Sequence, residues 1–163
     1  MMTIAQIMEK MIAFSEGNIH DITHLSCVWT YAKTIGELEG LDAETRFILE
    51  VAAITHDIAC PLCRKKYGNT NGSYQEQEGD PLVREFLADT GMTTAQIDRV
   101  AYLVGHHHSP AQIDGIDYQI LIEADYIVNA SESGDSQQTI QSFMEHTMKT
   151  AAGIRLTKTV FGV

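Results

Sequence analysis

Apolar residues recur along this chain at intervals of three and four, and no stretch alternates apolar with polar for the length of a strand. A chain patterned this way buries its apolar stripes by packing helix on helix, so the expected fold is all-α, a single-domain helical bundle. The spacing predicts seven helices. Ile4, Ile7, Met8, Met11 and Ile12 mark the first as core-facing, with Glu9 and Lys10 between, rather than a signal segment. A second runs from Asn18 or Ile19 to Glu39, where Gly40 stops it, with Val28, Tyr31, Ala32, Ile35 and Leu38 on one face. Asp42 is a good N-cap for a third, through Phe47, Ile48, Val51, Ala52 and Ile54 to Ile58, and Pro61 cannot continue it. Residues 64–80, rich in Gly, Asn and Ser, are expected to form a long irregular loop and a candidate lid over substrate. Asp80 then caps a helix with Pro81 at its first position and Gly91 at its end. The last three start near Thr93, Asp117 and Asp135, the final one reaching Ala152.

Composition excludes several classes of function. With 163 residues the chain suits one domain, 1–163. Its 22 acidic against 11 basic side chains, a formal charge of −11, argue against an extended nucleic-acid surface. A small anionic substrate held by a metal and a few local cations remains compatible. No run of apolar residues reaches the ~20 needed for a membrane-spanning helix. Three cysteines make no disulfide framework, and the expected location is a reducing cytoplasm.

The chemistry-bearing residues sit where an apolar chain should not place them. His24 falls among Ile22, Leu25 and Val28; His56 and Asp57 end the apolar run AAITHDIA; Asp125 lies inside ILIEADYIVNA. Each alone has an ordinary explanation: a hydrogen-bonded core histidine, a chance doublet, an aspartate paired with an arginine. As an ordered set, they offer imidazole and carboxylate from three apolar segments, and one divalent cation satisfies them all.

These segments, HDITHLSCVWTYAKTIGELEGLD, then ILEVAAITHDIA, then ILIEADYIVN, resemble the HD superfamily of metal-dependent phosphohydrolases over about residues 18–131. The resemblance implies an HD-type α-helical bundle and one metal ion held by His24, His56, Asp57 and Asp125. It implies hydrolysis of a small phosphorylated substrate, most expectedly a nucleotide, by metal-activated water, which Asp57 and Asp125 help orient. The donor set suits Mn, Fe, Ni, Zn or Mg. In superfamily members with two metals, further histidines between the doublet and the last aspartate hold the second ion. Here those come only from the cluster His106, His107 and His108, so a single ion is favoured, and His106 or His107 is expected to contact phosphate or protonate the leaving group. His108 fits a solvated helix end and His146 the surface.

Three departures leave the substrate open. Superfamily 5′-nucleotidases carry glutamate where this chain has Cys60; the acidic pair of stringent-response hydrolases is missing; and no GYP follows the histidine cluster. Arg64, Lys65 and Lys66, the one run of three cations, are a candidate anion site over the metal, with Gln75, Glu76 and Glu78 further along the same stretch. His20, one turn before His24, is a candidate for the same pocket. Cys60 and Cys63 form a CxxC whose expected role is packing rather than redox chemistry. Two other classes stand beside the enzyme: a catalytically weak metal- and nucleotide-binding regulatory module, and a helical interaction protein. The first helix and the tail GIRLTKTVFGV are candidate surfaces for a homo-oligomer.

Overall fold

A computed structural model describes all 163 residues. The chain is all-helical, with nine α-helices and one short 3-10 turn and no strand: α1 (Ile4–Phe14), α2 (Ile19–Leu38), α3 (Ala43–Thr55), α4 (Cys60–Tyr67), α5 (Gly72–Leu87), α6 (Thr94–Val104), the turn Pro110–Gln112, α7 (Ile116–Ser133), α8 (Gln137–His146) and α9 (Ala151–Phe161). No helix is long and apolar enough to cross a membrane.

The helix starts follow local chemistry. Thr3 and Thr93 form capping boxes with Gln6 and Gln96, while Asn18, Asp42, Ser136 and Thr150 accept from backbone N–H groups of the first turns. α2, α3 and α7 pack on one another and form the centre of the bundle, and α6 covers α3. Between them lies one core of 29 buried side chains, from Ile7 of α1 to Ala152 of α9. Arg99 of α6 donates to both Asp114 and Asp117, at 2.6–2.9 Å, and so ties the entry of α7 to α6.

Three sequence expectations need correction. The irregular stretch 64–80 is mostly helix: α4 and α5 are separated only by residues 68–71. Asp80 and Pro81 start no helix, because Pro81 lies within α5. The last helix is two, α8 and α9, and the tail is α9, packed on α7, α2 and α8 of its own chain. A smaller difference matters more for chemistry. α3 stops at Thr55, three residues before the expected end, so His56 and Asp57 lie in the turn between α3 and α4.

Candidate metal centre

Four side chains converge where α2, the α3–α4 turn and α7 meet. His24 Nε2 lies 3.2 Å from His56 Nε2, 3.4 Å from Asp57 Oδ2 and 3.3 Å from Asp125 Oδ1. His56 Nε2 lies 3.6 Å from the same Asp57 oxygen and 3.4 Å from the same Asp125 oxygen. A charge-assisted hydrogen bond closes to about 2.7–2.9 Å. Donor atoms sharing one cation at about 2.0–2.2 Å stand roughly 3.0–3.5 Å apart. The observed spacing is that of co-ligands.

The tautomers agree. His56 donates through Nδ1 to the Ala53 carbonyl at 2.8 Å, and the Nδ1 of His24 faces both oxygens of Glu132 at 3.1 Å. Each ring turns its Nε2 inward. Two imidazole nitrogens meeting this closely in a buried place, His24 being 4% and His56 1% exposed, need a cation or a proton between them. Without a metal the pKa values show that need. Burial opposes a charge on His56, but Asp57 and Asp125 outweigh it and lift the imidazole to about 9. His24 is also raised, burial being overcome by Asp125 and Asp57 against the opposing charge of His56. Burial would raise Asp57, yet His56 and His107 hold its carboxyl far below the usual range, and His24 and His56 do the same for Asp125.

A second group adjoins the first through Asp57. His107 is 3% exposed, donates from Nδ1 to the Val104 carbonyl at 2.8 Å and points Nε2 at Asp57 Oδ1, 3.4 Å away. That nitrogen has no hydrogen-bond partner. Asp57, His107 and His108 can bring one ligand atom each within 4.8 Å of one another, as can His24, His56 and Asp57. His108 is exposed, as expected of a solvated helix end, and its ring is pushed down to about 4 by desolvation against the protein and by His107. Its backbone N–H and the Ser109 hydroxyl donate to Glu76 of α5, at 3.1 and 2.9 Å, so the expected loop holds the histidine turn in place.

A cavity of about 280 Å³ opens over the cluster, lined by His20, Asp21, His24, Asp57, Cys60, Arg64, Thr70, Gln75, His108, Asp125, Asn129 and Glu132. Arg64 pairs with Asp21 at its edge, and His20 is exposed there. Lys65 and Lys66 do not line it: Lys66 pairs with Glu78 at 2.6 Å and lies over the Tyr67 ring. His106 is not brought to the cluster either. It donates from Nδ1 to the Tyr102 carbonyl at 2.7 Å and stacks on the Tyr102 ring. His146 is exposed, as expected. The Cys60 thiol is pushed well up by burial and by Asp57 and Asp21, and Cys63 is raised by burial and Glu78, so both stay protonated and unreactive.

Sequence reasoning missed Asn129 and Glu132, although a signal was present. Asp125, Asn129 and Glu132 stand at i, i+4 and i+7, three polar residues on one face of α7. It also missed Asp21, Thr70 and the place of His108 in the cavity wall.

A family model of the HD domain matches residues 21–140. The chain belongs to the HD domain family. The match spans the elements that carry His24, the His56–Asp57 doublet and Asp125, and it includes the 106–108 cluster. HD domains form a superfamily of metal-dependent phosphohydrolases, and the geometry of this HD domain fits that class: its donor set can hold a divalent ion. No curated protein matches the chain.

Proposed function

We propose that this HD domain hydrolyses the phosphoester or phosphoanhydride bond of a small phosphorylated compound, with a nucleotide as the first candidate substrate. The observation that carries the reading is the meeting of His24, His56, Asp57 and Asp125 donor atoms at co-ligand distances on the wall of a polar cavity. A divalent ion held there supplies, when bound, a Lewis acid that acidifies water and offsets charge growing on a phosphoryl oxygen. The chain's own residues do the rest. Asp57 and Asp125 orient the attacking water by accepting its hydrogen bonds. Arg64, held at the cavity edge by Asp21, offers its remaining N–H donors to phosphate oxygens. The cavity has one arginine and no Phe, Tyr or Trp in its wall, which suits a phosphoryl group inside with the rest of the substrate reaching outward. All three cysteines are free, which fits the reducing cytoplasm that this reading includes.

One specific observation favours a second ion beside the first, although a single ion is the expectation from sequence. The buried Nε2 of His107 has no partner, and Asp57 presents its two oxygens to the two groups separately, Oδ2 to His24 and His56, Oδ1 to His107. Asp57 as a shared ligand gives that orphan a partner.

A panel of phosphomonoesters, phosphodiesters and nucleotides, run with Mn²⁺, Fe²⁺, Ni²⁺ and Mg²⁺ beside elemental analysis, tests the proposal. We expect metal-dependent phosphate release that Asp57→Ala abolishes together with metal binding. An active, metal-loaded Asp57→Ala protein refutes the site, and tight nucleotide binding without turnover supports the regulatory alternative. His107→Ala should lower bound metal from two equivalents to one; an unchanged single equivalent in both proteins refutes the second ion.

A further inference from the structure

The three imidazoles that turn Nε2 inward do not obtain their outward partners in the same way. His56 and His107 sit just past helix ends and use a carbonyl three residues back, Ala53 and Val104. His24 lies in the second turn of α2, and its Nδ1 takes no backbone carbonyl. Its acceptor comes from another element, Glu132 near the end of α7, 108 residues away in sequence, with both carboxylate oxygens 3.1 Å from Nδ1. A carboxylate only accepts, so Nδ1 carries the proton and Nε2 is left bare to face the cluster. The same helix face repeats the device one turn earlier. Asn129 Nδ2 donates to Asp125 Oδ1 at 2.8 Å, the oxygen nearest both His24 and His56. The exposed His20 ring, parallel to His24 with centroids 6.5 Å apart, has its Nε2 4.0 Å from Glu132.

We infer that Glu132 is a positioning residue of the metal centre: it takes the hydrogen bond from His24 Nδ1, and so sets the tautomer and the aim of that ligand. The inference rests on the metal-centre reading above and adds a carboxylate–histidine–metal relay to it. Such partners raise ligand basicity and are worth about 10- to 100-fold in metal affinity.

Titration calorimetry of the full chain with Mn²⁺, on the wild type, Glu132→Ala and Glu132→Gln, tests it, together with the Tm of each protein after metal removal. Glu132→Ala should bind Mn²⁺ about 10- to 100-fold more weakly, with little change in metal-free Tm. Glu132→Gln, whose amide oxygen still accepts from Nδ1, should recover most of the affinity. In the Zn²⁺-loaded wild type, the His24 Nδ1–H proton should be shifted downfield and slow to exchange, as a hydrogen bond to a carboxylate makes it, and Glu132→Ala should lose that shift. Affinity within roughly twofold of wild type in Glu132→Ala, or Glu132→Gln as weak as Glu132→Ala, overturns the inference while leaving the centre intact. A wild type that binds no Mn²⁺ overturns both.

Discussion

At the scale of single residues, the centre is a competition between protons and a cation. In the metal-free protein His56 is lifted to about 9 from its ordinary 6.5, by Asp57 and Asp125 against burial. A group raised on folding contributes stability that is complete below its unfolded value, here about 6.5, and that drains away as pH climbs through about 9. Asp57 and Asp125 act in the opposite sense: held below 3.8, they contribute above that value and lose their contribution as pH falls. His108, pushed down to about 4, opposes folding below its ordinary 6.5, so the metal-free protein should be most stable near pH 6.5 and weaken toward pH 9. A bound divalent ion replaces the proton between the two Nε2 atoms, so the loaded protein should escape the alkaline loss. Calorimetric Tm values at stepped pH, with chelator and with Mn²⁺, should diverge from pH 6.5 upward. Parallel curves would show that these groups do not share a metal site.

At the scale of elements, the helices that sequence missed are those whose reasons are tertiary. Periodicity placed α2 to within a residue or so at either end, because its caps are local. In residues 64–80 it read Gly72 as a turn former within an irregular loop. Gly72 instead makes room for the His108 ring, whose Cγ would stand 2.9 Å from an added Cβ, and Gly79 does the same for the Val104 side chain, also 2.9 Å. Pro81 sits exposed inside α5, where it removes one helical N–H. Pro81→Ala should raise stability by about 1–3 kcal/mol in urea unfolding; a loss would mean that the helix depends on its proline.

The break between α8 and α9 is held by Glu123, two residues before Asp125. That carboxylate is fully buried and accepts from Gln119 Nε2 at 2.7 Å, from the backbone N–H groups of Lys149 and Thr150 at 2.7 and 3.0 Å, and from the Thr150 hydroxyl. It pins the start of α9 to α7, a charge set against a helix N-terminus. The local signal is Thr150, the N-cap of α9, while its tie to α7 is tertiary. Glu123→Ala orphans those donors in the core and should cost about 3–5 kcal/mol in equilibrium unfolding. A cost below about 1 kcal/mol, the worth of an ordinary hydrogen bond, would show that water satisfies the donors.

At the scale of the whole molecule, the candidate ligand set was legible in the sequence for the same reason that it is costly to fold. His24, the 56–57 doublet and Asp125 stand out because polar residues interrupt apolar stripes, and each interruption puts an ionisable group into the interior. Their supports were harder to read: the partners of Asp125 and His24 lie one and two turns along α7 and look like ordinary surface residues until the helices are packed. The candidate centre thus joins segments that approach only in the finished bundle, with α2, the α3–α4 turn and α7 each contributing at least one converging side chain. A metal that binds this assembled set, and not the unfolded chain, must stabilise the whole fold by linkage. The gain at a free metal concentration 100 times Kd is about 2.7 kcal/mol and grows with the logarithm of concentration. We therefore expect Tm to rise steadily with added Mn²⁺ or Ni²⁺ in the wild type, to rise less in His56→Ala, which leaves the His107 group, and to stay flat in Asp57→Ala, which removes the side chain common to both groups. Because Asp57 is shared by both groups, His107→Ala should keep part of the rise, and a complete loss there would mean that the two positions fill only together.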